Sequence, residues 1–255
     1  MPRATIIRLA AAILVLTVVT SLAMVQVDWH GTAASEEAAP IDTLLEIVIV
    51  LSSLVFAIVM VMLGYSLWRW RAQPGDESDG EPIHGNTRLE ILWTAIPTVI
   101  VLFLAAWSWF VIRDIEAREP EFMIVNVTGQ QFAWKFQYPQ QRGEAFEVPA
   151  AFESTELRVP TGVQIEFKLH SLDVLHSFWV PEWRIKKDAV PGITTRAVVT
   201  PNREGRYALV CAELCGLGHS TMRAPVFADS PEEWARWVAE QTGTKPRGGS
   251  AAGGS

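Results

Sequence analysis

The only two cysteines in 255 residues lie in one stretch, CAELCGLGHSTM, from Cys211 to Met222. His219 follows Cys215 by four positions and Met222 by seven, and His176 stands 35 positions before Cys211 in SLDVLHSFWVP. Two nearby thiols outside a reducing compartment have a plain structural reading, a disulfide closing a small loop. That reading uses neither the histidines nor the methionine. Thiolate, thioether and imidazole together are the soft donors that select copper. A single blue-copper site takes one cysteine, and this chain offers one too many. Two thiolates can instead bridge two copper ions, with one imidazole for each metal and weak axial donors completing the sets. Cys211, Cys215, His176, His219 and Met222 then serve, and the backbone carbonyl of Glu213, between the cysteines, takes the remaining axial place. Zinc fits poorly, because methionine is a rare zinc ligand and the donors exceed four. The disulfide and the copper pair both stay open on these residues alone.

The elements that must position this set divide the chain in two. Leu9–Val27, Ile47–Trp68 and Ile91–Ile112 carry no charge. Each is long enough to cross ~30 Å of hydrocarbon as a helix. The first follows Arg3 and Arg8, so residues 1–27 read either as a secretory signal or as a retained helix. Residues 41–112 read as a two-helix membrane hairpin, joined by the Pro-, Gly- and acid-rich loop RAQPGDESDGEPIHGN. Arg3, Arg8, Arg69, Arg71 and Arg88 place the N-terminus and this loop on the cytoplasmic side. The segment from Asp28 to Glu46 has five acids and no Lys or Arg, and it falls outside together with everything beyond Arg113. The net charge of −7 belongs mostly to the connecting segments, and no basic patch points to nucleic acid.

Residues 113–242 read as an all-β domain. FMIVNVTG, TELRVP, VQIEFKLHS, TTRAVVT, GRYALVC and RAPVFAD are strand candidates, and their spacing predicts a sandwich or barrel. QQFAWKFQYP places Phe132, Trp134, Phe136 and Tyr138 on one strand face. SPEEWARWVAEQT is a short C-terminal helix with Ser230 as N-cap, Pro231 at its first position and Glu233 completing a capping box. Residues 243–255 read as a disordered Gly/Ser tail.

CAELCGLGHSTM and SLDVLHSFWVP together resemble the copper A signature of cytochrome c oxidase subunit II, a haem-copper oxidase family. HGNTRLEILWTAIP is similar to that family's second membrane helix, GQQFAWKFQYP to its aromatic strand, and DAVPG to a segment before a later strand. The resemblance implies a cupredoxin-like barrel with two copper ions. His176 and Met222 would serve one, and His219 and the Glu213 carbonyl the other. It implies a magnesium ion at the subunit interface through the Glu213 side chain, and electron transfer from cytochrome c to haem in subunit I. Oxygen reduction to water with proton pumping and a neighbouring subunit III come with it, as does a multi-pass place in a prokaryotic plasma membrane. Glu90 matches a proton-uptake position, although a carboxylate at a helix start also has a simple dipole role. Phe132 stands where many relatives carry the tryptophan of electron entry, and Trp134 beside it reads first as a core residue. No C-x-x-C-H is present, so no covalent haem is expected. Quinol oxidase subunit II shares the architecture without the copper donors. A membrane-anchored copper-delivery protein and a disulfide-stabilised binding protein are the remaining alternatives.

Overall fold

The computed structural model describes residues 1–245 apart from 73, 76–79, 81 and 83. The expected loop at 71–86 therefore lies partly, and the expected tail from 246 wholly, outside the described residues. The chain forms two compact units, one of residues 1–29 and 42–111, the other of 30–41 and 112 onward.

The first unit is helical. Its helices are α1 (Arg3–Val25), α2 (Ala38–Arg69) and α3 (Thr87–Ile115); the first residues of α2 and the last of α3 belong to the second unit. All three are long and apolar enough to span a bilayer, and almost none of their surface is buried within the chain. The first apolar stretch is therefore a full-length helix beside the expected hairpin. Asn86 opens α3 by accepting the N–H groups of Arg88 and Leu89, and the Glu90 carboxylate accepts the Asn86 N–H at 3.2 Å. These bonds satisfy donors that a helix start leaves unpaired. Glu90 thus takes part in the helix cap.

The second unit is all β apart from one helix. Its strands are β1 (Phe122–Gln130), β2 (Ala133–Tyr138), β3 (Gln141–Arg142), β4 (Glu147–Val148), β5 (Phe152–Ser154) and β6 (Leu157–Pro160). They continue as β7 (Gln164–Ser171), β8 (His176–Val180), β9 (Ile185–Ala189), β10 (Thr195–Val199), β11 (Gly205–Cys211) and β12 (Arg223–Asp229), and α4 (Pro231–Thr242) follows. One sheet runs β10-β7-β1-β2-β5, a second runs β6-β12-β11-β8-β9, and β3 and β4 pair alone. Side chains on a strand point to opposite faces in turn. Met123, Val125 and Val127 of β1, and Trp134, Phe136 and Tyr138 of β2, accordingly enter one core with Phe178, Leu209 and Val226 of the other sheet. Ser230 caps α4 by accepting the Glu233 N–H, and Gly243 closes it at φ 67°. Trp234 and Trp237 of α4 pack on Tyr138.

Two expectations shift. Phe132 does not share the aromatic face of β2, because that strand begins at Ala133; the ring sits in the β1–β2 turn and is 39% exposed. His176 is the first residue of β8, a strand that the sequence reading leaves as loop.

Candidate metal centre

Strand pairing brings the donors together. Leu209 and Cys211 share the inward face of β11, so the last side chain of that strand enters the core. Strand β8 runs antiparallel beside it, with Cys211 opposite Phe178, and the Ala212 N–H extends the ladder to the Ser177 carbonyl. His176 thus opens its strand beside the end of β11. The chain then loops through Cys215, turns tightly at His219–Thr221, and returns to the start of β12. Cys211 N–H donates to the Met222 carbonyl at 3.1 Å, closing the loop at its neck. Gly216 holds φ at 127°, a value that side chains disfavour.

Both cysteines are buried and free. Their Sγ atoms lie 3.8 Å apart, far beyond the ~2.05 Å of a disulfide. Around them stand the other predicted donors. His176 Nδ1 is 4.0 Å from Cys211 Sγ, and His219 Nδ1 is 3.7 Å from Cys215 Sγ. Met222 Sδ lies 3.7 Å from Cys215 Sγ, and the Glu213 carbonyl 3.3 Å from Cys211 Sγ. His176, Cys211 and Cys215 already place their donor atoms within 4.8 Å of one another. A metal–thiolate bond is about 2.3 Å, so one ion can reach two sulfurs at this spacing. The donor set therefore fits a soft metal held between the thiols. Burial, followed by the neighbouring Cys211 thiol, pushes Cys215 up to about 11. The Cys215 thiol is thus neutral until a metal displaces its proton.

The imidazole of His176 has no exposure, and its Nε2 is 2.8 Å from Asp173 Oδ1. With Nδ1 turned to the sulfurs, Nε2 carries the proton and donates to the carboxylate, the arrangement that orients metal-binding histidines. Burial alone would raise the Asp173 carboxyl. Its bonds from His176 and from the Gln131 and Val174 N–H groups overcome that and hold it at about 2. Gly129 brings its backbone so close that a methyl there would lie 3.0 Å from His176 Cδ2. Trp134 is buried with its ring tilted at 65° to that of His176. Phe132 covers the far side of the loop, its ring against Gly216 and Gly218.

Of the residues singled out in the sequence, six converge: His176, Cys211, Glu213 (by its carbonyl), Cys215, His219 and Met222. Trp134 and Phe132 flank them, and the exposed Glu213 side chain points away from the core. Glu90 belongs to the other unit. His170 stands on β7 opposite Thr128 and is not among the donors. Asp173, Gln131 and Gly129 were missed as site residues. The three-residue step from Asp173 to His176 is a usable sign of an orienting carboxylate, whereas nothing local marks Gln131 or Gly129.

Comparison with known proteins bears on the same segments. The family "Cytochrome C oxidase subunit II, periplasmic domain" matches residues 123–229, and "Cytochrome C oxidase subunit II, transmembrane domain" matches residues 26–111. The chain is 31% identical to "Cytochrome c oxidase subunit 2" of Synechocystis over 83% of its own length and 77% of that protein's. It is also 31% identical to "Quinol oxidase subunit 2" of Bacillus cereus, over 77% of this chain and 67% of the relative. A solved periplasmic domain of subunit II of cytochrome oxidase from Bradyrhizobium japonicum aligns with TM-score 0.43 and 24% identity, covering 49% of this chain and 96% of that one. With both family matches in chain order and the expected donors gathered at one site, this chain belongs to the cytochrome c oxidase subunit II family of membrane proteins.

Proposed function

We propose that this chain is the electron-entry subunit of a cytochrome c oxidase and holds a dinuclear copper A centre at the 211–222 loop. The observation that carries the reading is the pair of unbonded sulfurs 3.8 Å apart with an imidazole Nδ1 beside each. The cytochrome c and quinol oxidase relatives match at the same 31% identity, so overall similarity does not choose between donors. The complete soft donor set favours copper, and through it cytochrome c.

His176 and Met222 would hold one ion and His219 and the Glu213 carbonyl the other, with Cys211 and Cys215 within reach of both. When bound, the copper pair supplies a one-electron relay between cytochrome c and haem in subunit I. The protein's part is to hold the donors still. Asp173 fixes the His176 ring, the Cys211–Met222 hydrogen bond closes the loop, and the surrounding core excludes water. Phe132, 39% exposed and lying on the loop, is the surface contact for the donor. Trp134, 3% exposed, acts as a wall of the His176 site.

The same reading extends to the complex. Subunit I reduces oxygen to water with proton pumping, and subunit III completes the assembly. Glu90 serves proton uptake at the cytoplasmic end of α3, and the exposed Glu213 side chain contributes to a magnesium site at the interface with subunit I. The β unit faces the outside of a prokaryotic plasma membrane, in keeping with the arginine distribution.

The test is oxygen uptake by the purified oxidase complex containing this chain, given reduced cytochrome c or a quinol. Turnover with cytochrome c, abolished in Cys215→Ser, supports the proposal. Turnover with quinol alone, unchanged in that variant, refutes it.

A further inference from the structure

We propose that Gln131 is a positioning residue that ties the two halves of the donor set together; the inference rests on the copper reading above. The donors come from two separate loops. His176 follows the β7–β8 connection, whereas Cys215, His219 and Met222 lie between β11 and β12. No backbone hydrogen bond joins Cys215 itself to the His176 loop among the described residues. Gln131, in the β1–β2 turn, spans that gap. Its side-chain Nε2–H donates to the Cys215 carbonyl at 2.6 Å. Its own backbone N–H donates to Asp173 Oδ2 at 2.7 Å, while Asp173 Oδ1 takes the His176 Nε2 proton at 2.8 Å. One residue thus grips the carbonyl of one thiolate donor and the carboxylate that orients the buried imidazole.

The chain of contacts runs from Cys215 through Gln131 and Asp173 to His176, and each bond in it is short and directional. Two of the three end on the Asp173 carboxylate, one on each of its oxygens. Phe132, next in sequence, presses its ring on Gly216 and Gly218 and seats the turn against the loop. Nothing in the metal chemistry requires an amide at position 131. Its donor does one thing that backbone N–H groups in this turn do not: it reaches across to the loop between the cysteine and the histidine. Outer hydrogen bonds of this kind typically govern metal affinity by about 10–100-fold.

The experiment compares wild type with Gln131→Leu, Gln131→Asn and Gln131→Lys in the purified full chain. Leu keeps the bulk and loses the donor, Asn is one methylene too short, and Lys restores a donor of sufficient reach. Copper affinity is read by chelator competition, and the site by its visible absorption and electron paramagnetic resonance spectra. The expected result is a loss of ~10-fold or more in affinity for Leu and Asn, altered spectra, and recovery of both in Lys. Wild-type affinity and spectra in Leu and Asn would overturn the inference while leaving the copper reading intact. Failure of both variants to fold would also overturn it, since the residue would then serve the fold and not the site. A wild-type chain that binds no copper would refute the copper reading first, and this inference with it.

Discussion

Gly129→Ala is the sharpest perturbation of the site, because it replaces no donor and adds only one methyl. The new Cβ would lie 3.0 Å from Cδ2 and 3.2 Å from Cγ of His176, and 3.2 Å from Cζ3 of Trp134. Carbon atoms pack at about 3.5–4.0 Å, so the imidazole has to retreat by roughly 0.5 Å. His176 is fully buried, and Trp134 is 3% exposed, so neither ring has free space to enter. On its other edge His176 is held by Asp173 at 2.8 Å. A shift of that size exceeds the about 0.2 Å tolerance of a metal–ligand bond. Overpacking of this kind costs about 1–3 kcal/mol. For a unit of this size that is a fall in Tm of about 3–12 °C. The assay pairs thermal unfolding with copper titration of the purified chain. We expect the lowered Tm and copper binding at least ~10-fold weaker, with a changed visible spectrum. Wild-type affinity and spectrum in the alanine variant would refute the placement of His176 against the end of β1.

Three further outcomes follow from the same packing. Met222→Leu conserves volume at a fully buried position, so stability should fall by less than about 1.5 kcal/mol while the copper spectrum and potential shift; an unchanged spectrum removes Met222 from the donors. Gly218→Ala would place a methyl 2.5 Å from Phe132 Cγ, and the half-exposed ring has solvent to swing into. It should slow electron entry from cytochrome c and lower Tm while leaving copper content near wild type, as stopped-flow reduction, thermal unfolding and metal analysis would report. Burial pushes the Glu166 carboxyl up, but the Arg196 and Arg118 guanidiniums at 2.7 and 2.5 Å more than offset it, and the group ends below its usual value. A lowered folded-state pKa contributes stability above the ordinary carboxylate range, which is lost as pH falls through the lowered value. Glu166→Gln should cost about 2 kcal/mol at neutral pH, less than a fully buried pair because both arginines are partly exposed, and should flatten the acid limb of urea unfolding; an unaltered pH profile contradicts it.

Much of the site is legible in the sequence because its chemistry is concentrated. Cys211, Glu213, Cys215, His219 and Met222 occupy one loop, and soft donors in that density have few structural uses. His176 is distant in sequence, yet it is the one histidine left near a strand end once His170 is set aside. The strands with clean alternation, β1, β2 and β7, are equally plain. The short strand β9, IKKDA, is not, because two lysines and an aspartate hide its alternation. Phe132 misleads for a related reason: it continues the period of Trp134 and Phe136, but the strand begins one residue later, at Ala133. Gln131 acts through contacts 42 and 84 residues away in the chain, to Asp173 and Cys215, which no local pattern encodes. The apolar stretch at the start forms the helix α1, and whether it is kept is decided by processing, not by the fold.

The most direct test is metal analysis of the purified chain together with alkylation of its cysteines before and after metal removal. The account predicts about two copper ions per chain, both thiols protected while metal is bound, and both alkylated once it is removed. A Cys211–Cys215 disulfide, or a single zinc ion in place of copper, would contradict it.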